Sequence, residues 1–181
     1  IQWQVNTRPA DSKNAQNATL VKVVNNNGVK KCANAAEVIL PGFDAQVTIE
    51  PGDAHEVGLN VLRSPDSQES TRISFFPQGH PRFGSPLLQI DGTSASGRGD
   101  LIPRPPEIGP LDVADDQPIE LRIFVDRSIV EVFANERQCL TLRVYPDRSD
   151  SVGVSLFARG GSATFSGVES WQMVSVWPEL G

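Results

Sequence analysis

Two carboxylates and an arginine stand out in the stretch LRIFVDRSIVEVFANERQCLTLRVYP, residues 121–146. A pair of carboxyl groups on either side of a scissile bond, one of them held protonated, is the minimum machinery for hydrolysing a glycoside, and Asp126 and Glu131 are the pair on offer. Asp126 is followed by Arg127 and Ser128, however, a composition that a tight hairpin also uses. A neighbouring guanidinium favours an ionised carboxylate, not the protonated acid the reaction needs, so the turn reading takes precedence there. Glu131 alternates onto one face with Ile129 and Phe133, opposite Val130 and Val132. If that face is covered, the carboxylate needs a partner, and Arg122 or Arg143 on adjacent strands would supply it. Such a cluster is either an inter-strand salt bridge or the polar floor of a sugar pocket, and both readings stand at the level of sequence.

Other chemistries find less support. A Ser-His-Asp triad needs a histidine near a nucleophilic serine, and the two histidines, His55 and His80, open a strand and sit in a turn-like PQGHPRF stretch. Cys32 and Cys139 are far apart and share no metal-type spacing, so a bridge and two separate thiols are both open. Loop carboxylates Asp112, Asp115 and Asp116 are the weak best case for calcium, and no metal or cofactor is expected. Arg98-Gly99-Asp100 matches an adhesion tripeptide too short to be specific. Sugar binding would combine planar hydroxyl partners with an aromatic surface. Its candidates are Trp3, Trp171 and Trp177, then Phe76, Phe83 and Tyr145, with Trp171 expected in the core of a last strand.

The elements that must position these residues are strands. Fourteen Pro and fifteen Gly in 181 residues, with no helix-period segment, point to many short strands joined by turns. Alternating runs fall at residues 45–50, 55–63, 71–76, 86–91, 119–125, 129–134, 139–145, 152–158, 163–166 and 168–173, separated by turn compositions such as PGD, DRS, NERQ and RGGS. The short PGD and SPDSQES connections predict that the strands at 45–50, 55–63 and 71–76 are antiparallel neighbours in one sheet. Residues 92–117 are Pro-rich and read as a long irregular loop, of the kind that is functional or lies against another surface. The expected fold is all-β, a two-sheet antiparallel β-sandwich of jelly-roll or concanavalin-like type over residues 37–181. Residues 1–36, polar and Asn-rich, are expected to form an N-terminal linker or edge extension.

The formal charge of −6, with both signs scattered, disfavours a nucleic-acid partner. No run approaches the length of a membrane span, and the N-terminal residues lack the order of a signal peptide. The first residue is Ile, so the chain is expected to be a piece of a longer polypeptide. The compartment stays open between secreted, periplasmic and cytoplasmic. Asn17-Ala18-Thr19 fits a glycosylation acceptor, and that too leaves the compartment unfixed.

The ELRIFVDRSIVEVFAN core, the RVYP after it, LNVLRSPDSQESTRISFFP and LLQIDGTSAS before it, and SVGVSLFARGGSATFSGVESWQM beyond resemble the C-terminal β-sandwich of glycoside hydrolase family 32, the invertase, levanase and inulinase family. The resemblance runs from about Glu37 to Met173. It implies that catalysis belongs to a separate five-bladed β-propeller with WMNDPNG-like, RDP and EC segments. None of these occurs here: RSPD and PDRSD are not RDP, and Cys139 follows Gln138. The resemblance therefore implies a non-catalytic domain, inactive alone, whose partner is the propeller of the same polypeptide. Its role would be support of that propeller, contacts in a homo-oligomer, or binding of fructan or a sucrose-type carbohydrate. For the last, the residues to test are Asp126, Arg127 and Glu131, with Arg122 in support.

Overall fold

The structure, a computed structural model, describes residues 6–10, 13–24, 30–31, 42–102, 104–114 and 117–172. Among them the elements are strands alone: β1 (Asn6–Ala10), β2 (Lys13–Val24), β3 (Lys30–Lys31), β4 (Gly42–Glu50), β5 (Glu56–Arg63), β6 (Thr71–Phe76), β7 (Leu87–Asp91), β8 (Glu107–Pro110), β9 (Ile119–Asp126), β10 (Ile129–Ala134), β11 (Gln138–Arg143), β12 (Gly153–Arg159) and β13 (Ser162–Gln172). They form a seven-stranded sheet in the order β1-β2-β13-β4-β9-β10-β11 and a six-stranded sheet in the order β3-β12-β5-β6-β7-β8. This is the expected all-β sandwich.

The period-two pattern explains the packing. On β9, Ile119, Leu121, Ile123 and Val125 are buried while Glu120, Arg122 and Asp126 are exposed. The buried set shares one core cluster with Ile73 and Phe75 of β6 and Leu88 and Ile90 of β7. Each such side chain removed from water contributes about 1.5–3 kcal/mol, so the facing strands are held chiefly by these residues.

Three strand expectations need correction. β5 and β6 are neighbours, but β4 and β5 are not: β4 pairs with β9 and β13, and β5 with β6 and β12. Residues 51–55 form an arch between the sheets, with Ala54 fully buried at the corner. A second arch, between β12 and β13, runs beside it. The Ser162 amide donates to Asp53 Oδ1 at 2.6 Å and the His55 amide to the Arg159 carbonyl at 2.9 Å. A Cβ on Gly161 would lie 2.4 Å from the Asp53 carbonyl oxygen, so the two arches touch only because no side chain intervenes. Next, the long Pro-rich segment contains β8, an edge strand that pairs with β7 from Leu87↔Pro110 to Ile90↔Glu107. Its proline sits at the strand end, where a missing donor is tolerated. Finally, residues 163–166 and 168–173 are not two strands. They join in β13, whose register against β4 shifts between Ser166 and Glu169, with Gly167 at φ 56°.

At one end of the sandwich the loops are pinned by a residue the sequence reading passed over. Glu69, 1% exposed, accepts hydrogen bonds from the amides of Gly97, Asp147 and Arg148 and from the Ser151 hydroxyl. Burial alone would raise its pKa, but these four donors together outweigh it and hold the carboxyl below its ordinary value. Nearby, Arg148 bridges Asp66 and Asp150, so the RSPD and PDRSD segments face each other as a structural clamp. Arg98 and Asp100 are bidentate partners of one another, which ties up both charged ends of the adhesion-like tripeptide.

Candidate sugar-binding face

The outer face of the seven-stranded sheet carries the sequence-predicted residues, and strand register arranges them in rows. One row reads Glu169–Gln46–Arg122–Phe133–Cys139 across β13, β4, β9, β10 and β11. The next reads Trp171–Asp44–Phe124–Glu131–Thr141, and a third Gly42–Asp126–Ile129–Arg143. The two-residue Arg127-Ser128 turn pairs Asp126 with Ile129 and so fixes the β9–β10 step of every row, while the other steps follow from the separate registers of β4 with β9 and β13 and of β10 with β11.

Arg122 and Glu131 are diagonal neighbours on this face, yet the ion pair considered between them does not form. Arg122 instead donates Nε to Asp44 Oδ1 at 3.2 Å and Nη2 to Asp44 Oδ2 at 2.6 Å. The Asp44 carboxylate raises the Arg122 pKa above its ordinary value through those hydrogen bonds. Two parallel N–H···O bonds outcompete a single diagonal contact. Glu131 is half-buried and accepts from Thr141 Oγ1 at 3.4 Å. Arg143, the other partner considered, lies with its guanidinium carbon 5.8 Å from the Tyr145 ring centroid. Asp126 and Arg127 sit exposed at the hairpin tip, where Arg127 takes a left-handed φ of 52°. The sheet thus brings Arg122 and Glu131 together and leaves Asp126 and Arg127 at its rim.

The aromatic side chains are where the sequence reading fell short. Phe124 and Phe133 stand edge to face with centroids 5.8 Å apart, the Arg122 guanidinium lies over Phe124 at 5.1 Å, and Phe133 is 39% exposed. Trp171, expected in the core, is on the outer face opposite Asp44, because the β13 bulge inserts one residue and reverses the alternation beyond it. The inward sites are instead Phe165, before the bulge, and Ser170, paired with buried Ala45. Phe76 and Phe83 pack around His80, away from this face. Trp3, Trp177, Cys32, Asp115 and Asp116 lie outside the described residues. Among the described residues no group of three metal-ligating side chains converges.

Between the first row and the β10–β11 turn lies an open recess of about 600 Å³, lined by Gln46, Glu120, Arg122, Phe124, Phe133 and Glu136 among others. At the opposite end of β11, a smaller hollow of about 120 Å³ is lined by Ile102, Arg104, Arg143 and Tyr145. Ile102 is 91% and Tyr145 45% exposed there. The recess therefore offers ring surface among planar hydrogen-bonding groups, and the hollow, between the 92–104 loop and the far end of β11, an apolar, cationic rim.

The family model described as "Glycosyl hydrolases family 32 C terminal" matches residues 6–172. A levanase of Bacillus subtilis is 31% identical over 178 residues, spanning 96% of this chain and 24% of that protein. A fructan 6-exohydrolase of Triticum aestivum is 34% identical over 130 residues, 68% of this chain and 22% of the relative. Among solved structures, an Aspergillus kawachii beta-fructofuranosidase superposes with a TM-score of 0.73 at 21% identity, covering 93% of this chain and 29% of the other. Fructan 1-exohydrolase IIa from Cichorium intybus gives 0.69 at 16% identity, covering 90% and 35%. At those identities the superpositions speak for the fold. The chain spans about a quarter of the length of the curated relatives it matches.

Proposed function

The chain belongs to glycosyl hydrolase family 32, whose C-terminal domain it is, and from that premise we propose that it is a non-catalytic domain supporting the propeller of a fructan- or sucrose-cleaving enzyme. The observation that carries this reading is a sandwich matched from residue 6 to residue 172 in a sequence without any of the three propeller segments. The rim formed by Ile102, Tyr145 and Ile129 is the surface we assign to that contact. All three are large and exposed, and Arg143 joins them, opposite Ile129 in register and stacked on Tyr145. Exposed apolar groups that gather at one end of a face mark a packing surface more often than isolated ones do. The purified 181-residue chain is expected to release no fructose from levan, inulin or sucrose. Release above the rate of buffer alone would overturn the non-catalytic assignment.

A second reading, a module that itself holds fructan, is favoured by the aromatic and planar polar side chains sharing the outer face. It is compatible with the first, because the recess and the rim lie at opposite ends of β10 and β11. Phe133 and Ile129 are four residues apart along β10, roughly 13 Å at the rise of an extended strand.

A further inference from the structure

We propose that the recess around Phe133, with Arg122, Gln46 and Phe124, is a binding subsite for a fructosyl unit of a fructan chain. The Asp126–Arg127 hairpin tip is not part of it. The inference rests on the fructan-contact reading above and gives it a place and a set of residues.

The chemistry of a sugar ring, apolar C–H faces edged by hydroxyls, matches what these side chains present. Phe133 is the exposed ring, and Phe124 braces it edge-on while lying beneath the Arg122 guanidinium. A guanidinium has five N–H donors. Arg122 spends two of them on Asp44, so the others remain for hydroxyl oxygens. The same bidentate pair fixes the guanidinium before any ligand arrives, so little side-chain freedom is lost on binding. Gln46, directly across from Arg122, adds an exposed amide that both donates and accepts. The recess, about 600 Å³, falls within the range of roughly 300–1,000 Å³ usual for small-molecule sites. Its lining joins the ring surfaces of Phe124 and Phe133 to the polar ends of Gln46, Glu120, Arg122 and Glu136, the mixture that a ligand with apolar C–H faces and edging hydroxyls requires. The bland alternative, a solvated sheet face, leaves unexplained why an aromatic pair and a pre-set guanidinium share one row and its neighbour.

The test is an NMR titration of the 181-residue chain with inulin- and levan-type fructo-oligosaccharides, with malto-oligosaccharides as the control sugar. Saturating shifts are expected at the amides of Gln46, Arg122 and Phe133, with a dissociation constant on the order of 1 mM. Phe133→Ala should weaken binding about tenfold, a loss of the size expected for one stacking surface. Gln46→Ala, an exposed position that leaves both rings in place, should weaken it with little change in the unfolding transition, and Arg127→Ala should leave binding unchanged. Shifts centred on Asp126 and Arg127, or equal binding by Phe133→Ala, would overturn the assignment. Absence of shifts with every sugar would also overturn it while leaving propeller support standing. Shifts at these same residues with malto-oligosaccharides alone would overturn the fructan reading itself.

Discussion

Glu69 shows how one buried charge can organise a loop end. Its two oxygens receive one side-chain and three backbone donors from two separate loops, residues 92–101 and 144–152. Replacing it by alanine strands those donors, and the expected cost is about 3 kcal/mol, read as a lower urea midpoint. The pH dependence has a definite sign. Because the folded carboxyl sits below its ordinary value, its contribution is complete above the unfolded value of about 4.3 and is lost as pH falls through the folded one. Asp66 is held down in the same direction, first by the Ser64 hydroxyl and then by Arg148 and the Gln68 amide. The parent chain should thus lose stability on acidification below about pH 4. Glu69→Gln should be less stable at neutral pH and show a flatter profile in that window. A variant with the parental acid profile would show that the carboxylate is not what ties the loops.

Among the elements, β13 decides what the outer face presents. Its bulge turns Trp171 outward, and Gly167 makes the bulge by taking a left-handed backbone. The nearest atom to a Cβ there would be Thr48 Oγ1 at 3.9 Å, so substitution meets open space and the cost is one of backbone alone. Gly167→Val should lose about 1–2 kcal/mol, and Gly167→Asn clearly less, because a short polar side chain tolerates that conformation. Equal urea midpoints for the two variants would place the strain elsewhere. The same strand marks where sequence reading stops. β4, β9 and β10 are legible because each keeps a strict alternation, as Ile119 to Val125 do. Ser166-Gly167 looked like a break between strands, since a bulge and a turn share their residues. The β4–β5 arch reads as a hairpin in the sequence because both are short and both leave apolar residues alternating on one face. For the site, Glu131 and Arg122 were placed on the correct face, but their partners depend on register. The two-residue turn pairs Arg122 with Phe133, but the position of Asp44 diagonal to Arg122 comes from the long-range pairing of β4 with β9, which no local signal announces.

For the whole molecule, the proposed division of the outer face into a sugar recess and a packing rim makes a prediction that neither end makes alone. Ile102 and Tyr145 are exposed in this chain, so Ile102→Glu with Tyr145→Glu should leave the unfolding of the isolated 181-residue domain within about 0.5 kcal/mol of the parent. In an enzyme that joins this domain to its propeller, the same pair of changes would bury two carboxylates against an apolar contact, which costs several kcal/mol unless the interface opens. The expected outcome is a fall of at least about 4 °C in the melting temperature of the joined protein, with no change in the isolated domain. Phe133→Ala should do the reverse, lowering the melting temperature of the joined protein no more than that of the isolated domain, where it loses its packing on Phe124, while weakening fructan binding. If Phe133→Ala lowers the melting temperature of the joined protein by more than that of the isolated domain, and the Ile102 and Tyr145 changes do not, the two ends exchange roles and the recess becomes the propeller contact.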